Sequence, residues 1–113
     1  MRGTDLEYRI EYDPSVLDKI SDIRDYISNV LLNPTTADKR VKNIFDDIEK
    51  IKYMPEGYPS ADEKIGKRLS QKFDTRFTLI VSKKYMVFFF IDNQRIVVSH
   101  LLPTSTNYFD LFI

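Results

Sequence analysis

The chain has 113 residues, of which 42% are apolar and 30% charged; this is the composition of one small globular domain, and we expect a single domain over residues 1–113. It contains no cysteine, one histidine and three glycines, which excludes disulfides, cysteine or multi-histidine metal sites and glycine-rich phosphate loops, so we expect no metal and no cofactor. No apolar run approaches the length of a membrane span and the first residues lack the apolar stretch of a signal peptide, so we expect a cytoplasmic protein without a membrane partner.

The charges cancel overall but are unevenly distributed along the chain. Residues 1–63 carry nine Lys or Arg and fourteen Asp or Glu, a net charge of −5, whereas residues 64–113 carry eight and three, a net of +5. The basic residues are densest in a stretch that we call the basic segment: Lys64, Lys67, Arg68, Lys72, Arg76, Lys83 and Lys84. Such a field can steer a nucleic acid or an acidic partner, although a run of charges is also typical of an ordinary solvated surface.

The N-terminal third predicts one strand and one helix. Residues 7–12 alternate in polarity and place Tyr8, Ile10 and Tyr12 on one face, which is typical of a strand. Asp13 and Pro14 then supply a capping side chain and a favoured first helical residue. The apolar stripe of the helix that follows is Val16, Leu17, Ile20, Ile23, Ile27, Val30 and Leu31. Asn33-Pro34 is expected to end this helix.

A second amphipathic helix is expected after the Asn-Pro turn. The stretch Thr35-Thr36-Ala37-Asp38 resembles a capping-box start. The apolar stripe of this helix is Ala37, Val41, Ile44, Phe45, Ile48 and Ile51. Because the connection is short, the two helices should pack side by side and antiparallel, with their charged faces toward solvent.

Three further strands are predicted in the C-terminal half, over residues 75–81, 85–91 and 95–102. Lys83-Lys84 and residues 92–94 are expected to form the turns between them, and the middle strand is apolar on both faces, as a central strand would be. Residues 108–113 are too apolar for a free tail and are expected to dock as a short helix or strand. The sequence therefore predicts an α+β domain of order β-α-α-β-β-β, an antiparallel meander with an N-terminal helical hairpin packed on one face.

His100 invites a catalytic hypothesis. Metal-independent RNA cleavage needs a base, an acid and cations for the developing phosphorane charge, and the candidate catalytic residues are Arg76, His100 and Tyr108. The residues predicted to share the more apolar face of the last strand are Ile96, Val98, His100 and Leu102. We therefore expect His100 to be a hydrogen-bonded core histidine, unless a bulge shifts the parity at the strand end. A Ser-His-acid triad has no supporting spacing.

The order of the elements and four stretches resemble the RelE/ParE superfamily of small toxins from bacterial type II toxin–antitoxin modules. The stretches are IRDYI in the first helix, NPTTADKRVKNIFDDIEKI in the second, RFTLIV followed by KYMVFFFI, and the closing IVVSHLLPTSTNYFDLF. The resemblance covers nearly the whole chain and rests on this ordered set, since no single motif is specific.

This resemblance implies two different activities. RelE-like members are ribosome-dependent endoribonucleases that cut mRNA in the A site, whereas ParE-like members share the fold but block DNA gyrase. Both are held inactive by an antitoxin from the same operon, which usually carries the DNA-binding domain. The resemblance thus implies a cognate antitoxin as partner, gyrase or the ribosome as target, operator DNA contact only through the antitoxin, and a role such as plasmid stability.

Three departures from the nuclease pattern favour the ParE-like branch. Tyr85 is followed by Met86 where RelE-like nucleases tend to carry Arg, and residues 103–106 are uncharged where they carry Arg or His. The chain is also neutral, whereas RelE-like chains are usually strongly basic, as ribosome binding favours. The predicted target-binding residues are Lys64, Lys67, Arg68, Lys72, Arg76, Lys83, Lys84 and Tyr108. The alternatives are an mRNA endoribonuclease using Arg76, His100 and Tyr108, and an inactive toxin-fold protein that acts as an antitoxin partner or corepressor.

Overall fold

The computed structural model describes residues 7–66, 68 and 70–105. The strands are β1 (Arg9–Tyr12), β2 (Arg76–Ile80), β3 (Tyr85–Asp92) and β4 (Arg95–Pro103), and the helices are α1 (Pro14–Asp25), α2 (Pro34–Glu49) and the short α3 (Ala61–Ile65). A π-helical turn (Tyr26–Val30) extends α1, and 3-10 turns (Lys50–Tyr53 and Pro55–Gly57) follow α2. None of these helices is long and apolar enough to cross a membrane. The C-terminal element predicted over residues 108–113 lies outside the described residues.

The sheet confirms the predicted α+β class but corrects one part of the predicted topology. Its strand order is β1-β4-β3-β2, and β2, β3 and β4 form the expected antiparallel meander. The prediction of a purely antiparallel sheet is wrong, because β1 pairs parallel with β4, with Arg9 opposite Arg95. The helical hairpin is a crossover long enough to bring the chain back to the sheet in either direction, and alternation along β1 does not encode which edge it joins.

Helix α1 begins where the sequence predicted, whereas α2 begins at Pro34, one residue before the predicted capping-box start at Thr35. The side chain of Asp13 accepts the N–H of Ser15 at 3.0 Å, and Pro14 occupies the first turn of α1. Asn33 caps α2 in the same way, since its side chain accepts the N–H of Thr36 at 3.1 Å. Each cap satisfies a backbone donor that has no partner inside the helix.

The main core lies between the helical hairpin and one face of the sheet, which we call the helix face. Its fully buried members include Val16 from α1, Ile44 and Ile48 from α2, and Val87 and Phe89 from β3. The opposite face, which we call the second face, carries a smaller cluster: Ala61, Ile65, Met86 and Phe88, with Phe77 and Leu102 packed against it. Strand β3 is thus buried on both faces, as predicted, and each fully buried large side chain contributes about 1.5–3 kcal/mol of transfer free energy.

A bulge in β4 decides where His100 lies. Phe88 pairs with His100 but Phe89 pairs with Val98, so Ser99 is an extra residue between them. Cross-strand partners share a face, and His100 therefore lies with Phe88 on the second face. The prediction that His100 shares the core face with Val98 is wrong for this reason.

The turn between β2 and β3 has an unusual backbone. The N–H of Lys84 bonds to the carbonyl of Val81 at 3.0 Å, so Ser82 and Lys83 are the central residues, one position earlier than predicted. Val81, Ser82 and Lys83 all have positive φ, of 52°, 52° and 66°, although none is glycine. The Asp47 carboxylate of α2 accepts the N–H of Val81 at 2.8 Å, and the Thr104 hydroxyl donates to the carbonyl of Lys83 at 2.9 Å. These bonds fix the turn against α2 and the end of β4.

Candidate functional site

Part of the basic segment lies over aromatic rings of the second face. The Lys64 ammonium on α3 is 5.4 Å from the Phe77 ring centroid, and the Lys72 ammonium is 5.3 Å from that of Phe73. Phe73 in turn stacks on Phe90 of β3, with centroids 4.5 Å apart. Cations above ring faces are attracted by the ring quadrupole, so this surface combines positive charge with aromatic groups.

The remaining residues of the basic segment are divided between other positions. Arg68 forms an ion pair with Asp74 at 3.1 Å. Lys83 and Lys84 are exposed at the β2–β3 turn, at the far end of β2 from Phe77. Lys67 lies outside the described residues. The predicted target-binding set is therefore not one continuous patch in the described part of the chain.

Arg76 lies on the helix face. It pairs with Phe89 across the sheet, and its guanidinium donates to the carbonyl of Tyr58 at 2.7 Å. The Tyr58 ring packs edge-on against Phe89, with centroids 5.6 Å apart. These contacts give Arg76 a role in fixing the segment that leads into α3.

His100 lies on the second face, against the edge of the Phe88 ring at a centroid distance of 6.0 Å. Its Nδ1 is 3.0 Å from the Ser99 hydroxyl, which donates to the Phe88 carbonyl. Burial lowers the pKa of His100, and the Asp13 carboxylate partly opposes this effect. Arg76 and His100 are thus on opposite faces of the sheet, and Tyr108 lies outside the described residues. The described part of the chain does not bring the candidate nuclease residues together.

An apolar groove at the helical hairpin is a second candidate site, and its residues were not predicted as functional. It is a cavity of about 420 Å³ between α1, the π-helical turn, α2 and the ends of β3 and β4. Its apolar walls include Ile23, Ile27 and Leu31. Beside the groove, the π-helical turn and the residues after it expose four large apolar side chains: Tyr26, Val30, Leu31 and Leu32. Leu32 is 80% exposed; a cluster of this kind is typical of an interaction surface.

Beside its apolar walls, the groove is lined by two cations, Lys19 and Arg40, and by the carboxylate of Asp22. The half-buried Arg40 donates to the Tyr85 hydroxyl at 2.7 Å, and both residues line the groove. Arg40 forms no ion pair with a carboxylate of the described residues. The sequence held a signal for this site, because Val30-Leu31-Leu32 places three apolar residues in succession just before Asn33, and one helical stripe cannot bury all three. The groove can accept an apolar side chain together with an acidic group.

The structural comparison identifies the fold. The chain is similar to a chain of the chromosomal ParDE TA system from P. aeruginosa, with a TM-score of 0.69 and 14% sequence identity, over 88% of this chain and 99% of that chain. The fold is ParDE-like. No protein-family model matches the sequence, and no curated protein matches it either. The ParDE-like fold agrees with the expected α+β class and its N-terminal helical hairpin.

Proposed function

We propose that this chain is the toxin of a type II toxin–antitoxin module, that it arrests growth by inhibiting DNA gyrase, and that a cognate antitoxin neutralises it. The ParDE-like fold supports the module. The observation that favours gyrase over the ribosome is the separation of Arg76 and His100 on opposite faces of the sheet. Phosphoryl-transfer chemistry needs its acid, base and cations around one phosphate, and these two residues cannot meet there.

The groove at the helical hairpin supports the antitoxin as partner. An amphipathic helix can place an apolar side chain between Ile23, Ile27 and Leu31, in the helix-in-groove mode of recognition. A carboxylate on the same segment would then pair with Arg40, which has no such partner within the described residues. The exposed Leu32 would be covered by the same partner.

The exposed lysines of the β2–β3 turn are the part of the basic segment best placed to contact a large target. Lys83 and Lys84 project from a turn that Asp47 and Thr104 hold in one conformation. Two adjacent cations at a fixed turn favour contact with an acidic surface of the target or with the DNA that gyrase holds. Arg76, by contrast, is expected to act through the fold rather than by touching the target.

Growth after induced expression, with an SOS reporter in the same cells, tests this proposal. We expect growth arrest with SOS induction, and rescue when the cognate antitoxin is co-expressed. The double substitution Lys83→Glu/Lys84→Glu should relieve the arrest, while the matched control Lys39→Glu/Lys42→Glu on α2 should not. Arrest without SOS induction, accompanied by codon-linked mRNA cuts, would instead establish the endoribonuclease alternative. Growth without any arrest would leave the chain as a binding partner or corepressor.

A further inference from the structure

Strand β1 forms one edge of the sheet, and no other strand of the described residues pairs with its outer side. The N–H groups of Arg9 and Asp13 bond to Gln94 and Val98 of the β4 side, at 2.8 and 2.9 Å. In a strand with one neighbour, alternate residues direct their backbone groups away from it, so those of Ile10 point outward. A polar cleft of about 730 Å³, lined by residues of β1 and of the end of α2, opens beside this edge. The outer side of β1 is therefore not closed by the helices.

Arg9 of β1 lies next to a second cation. Arg9 stands directly opposite Arg95 in the β1–β4 register, which places two like charges side by side. The guanidinium of Arg95 donates two hydrogen bonds of 3.0 Å to the carboxylate of Glu11 and one of 2.7 Å to that of Asp92. The hydrogen bond from Arg95, with the charges of Arg95 and Arg9, holds the pKa of Glu11 below its ordinary value. Arg9 is exposed and has no ion pair with any residue in the described ranges.

The sequence of β1 is complementary to itself when it is reversed. If two copies of residues 8–12 are laid antiparallel with Ile10 opposite Ile10, then Arg9 of each copy faces Glu11 of the other, and Tyr8 faces Tyr12. Ile10, whose backbone groups point outward, falls at a hydrogen-bonded pair in this register, as the ladder requires. Arg9 would thus gain an ion pair with a carboxylate, which it lacks within the described residues of one chain, on the same face as the Arg95 cluster.

We propose that β1 is a self-association edge, through which two copies of this chain pair antiparallel around Ile10 and form one continuous sheet. The inference does not depend on the activity proposed above. A short, charged edge strand is also a common protection against aggregation. Protection requires only charge, however, and does not require that opposite charges of two antiparallel copies face each other, as those of Arg9 and Glu11 would here. Because the contact is small, the dimer should be weak, with a dissociation constant of about 10–500 µM.

Charge reversal tests the register of this pairing. Sedimentation equilibrium of the purified full chain should show reversible association toward twice the 13.4 kDa monomer mass. Arg9→Glu places Glu opposite Glu twice in the dimer, and Glu11→Lys places Lys opposite Arg twice. Either variant alone should associate about tenfold or more weakly than the wild type. An equimolar mixture restores both unlike pairs, because the introduced glutamate of one variant then faces the introduced lysine of the other, and the retained Glu11 faces the retained Arg9. The mixture should therefore associate about as strongly as the wild type.

Two controls separate this effect from misfolding and from net charge. Arg9→Glu removes no ion pair within the described part of one chain and replaces the like-charge pair with Arg95 by an unlike one, so the variant should unfold at a Tm no lower than that of the wild type. Lys39→Glu, on the exposed face of α2, changes the net charge by the same amount and should leave association unchanged. A wild-type chain that stays monomeric up to about 1 mM would overturn the proposal. So would a mixture of the two variants that associates no better than either alone.

Discussion

Replacing Asp47 by Ala tests whether helix α2 holds the β2–β3 turn in its unusual conformation. The Asp47 carboxylate accepts the N–H of Val81 at 2.8 Å, and Val81 is a buried, β-branched residue with φ of 52°. Such a residue in the left-handed region is strained by roughly 1–3 kcal/mol. The surrounding contacts must therefore stabilise the turn, and the Asp47 bond is the contact made directly to the strained residue.

The expected loss of unfolding free energy in Asp47→Ala follows from the loss of a hydrogen bond to a charged group. Such bonds contribute about 1.5–3 kcal/mol, and a buried N–H left without a partner costs about 1–3 kcal/mol. The two values describe largely the same loss, so they are not added together. We expect Asp47→Ala to lower the free energy of unfolding by about 2–3 kcal/mol, which corresponds to a fall in Tm of roughly 10 °C for a chain of this size. Lys83 and Lys84 would lose their fixed position, and inhibition of the target should weaken as well.

Thermal unfolding followed by circular dichroism measures this loss. The matched control is Asp46→Ala, one residue earlier on α2, because its carboxylate pairs only with the exposed Lys42, at 2.6 Å, among the contacts of the described residues. An exposed pair of this kind contributes about 0.3–0.5 kcal/mol, so the control should shift Tm by no more than about 2 °C. Equal Tm values for the two variants would refute the assigned role of Asp47.

Three further predictions concern the other sites. Arg76→Ala should lower the free energy of unfolding by about 1–2 kcal/mol in urea titrations, because the Tyr58 carbonyl loses its donor. Lys64→Ala should lower it by less than about 1 kcal/mol. A larger loss in Lys64→Ala than in Arg76→Ala would contradict the structural role of Arg76. Burial lowers the pKa of His100 in the folded chain below its unfolded value of about 6.5, so the unfolded chain binds more protons as the pH falls below that value, and the free energy of unfolding decreases. His100→Gln should remove this part of the pH dependence. A difference in unfolding free energy between the wild type and His100→Gln that is constant from about pH 5 to 8 would disprove this role of His100. Leu31→Asp should weaken antitoxin binding in a pull-down by at least about tenfold, while Leu17→Asp, exposed but outside the groove, should leave it intact; equal effects would remove the groove as the antitoxin site.

Local signals in the sequence predicted most of the fold. The start of α1, the doubly buried β3 and the antiparallel meander depend on neighbouring residues, and caps, periodicity and turn chemistry encode them. The start of α2 was predicted at Thr35, but Asn33 caps the helix. The parallel pairing of β1 with β4 was missed, because strand partners far apart in the chain leave no local pattern. The place of His100 was also predicted wrongly, since one bulged residue reverses the face of every later side chain and alternation alone does not reveal where it occurs.

The candidate sites were less predictable than the fold. The residues of the basic segment lie close together in the sequence but not in the structure. Arg76 of β2 lies on the helix face, whereas Lys64 and Lys72 lie over the second face. The groove forms only when the π-helical turn packs near Arg40 and Tyr85, residues that are 45 positions apart. Contacts of this range depend on the assembled tertiary structure, and composition or spacing does not encode them.

A supercoiling assay with purified gyrase shows directly whether this chain inhibits the enzyme. Relaxed plasmid, ATP and gyrase are incubated with increasing amounts of the purified wild-type chain. A parallel titration uses the Lys83→Glu/Lys84→Glu variant in its place. We expect the wild-type chain to stop supercoiling at concentrations near that of gyrase, and the variant to need at least about tenfold more. Full supercoiling at a large excess of the wild-type chain would contradict the proposal that gyrase is the target.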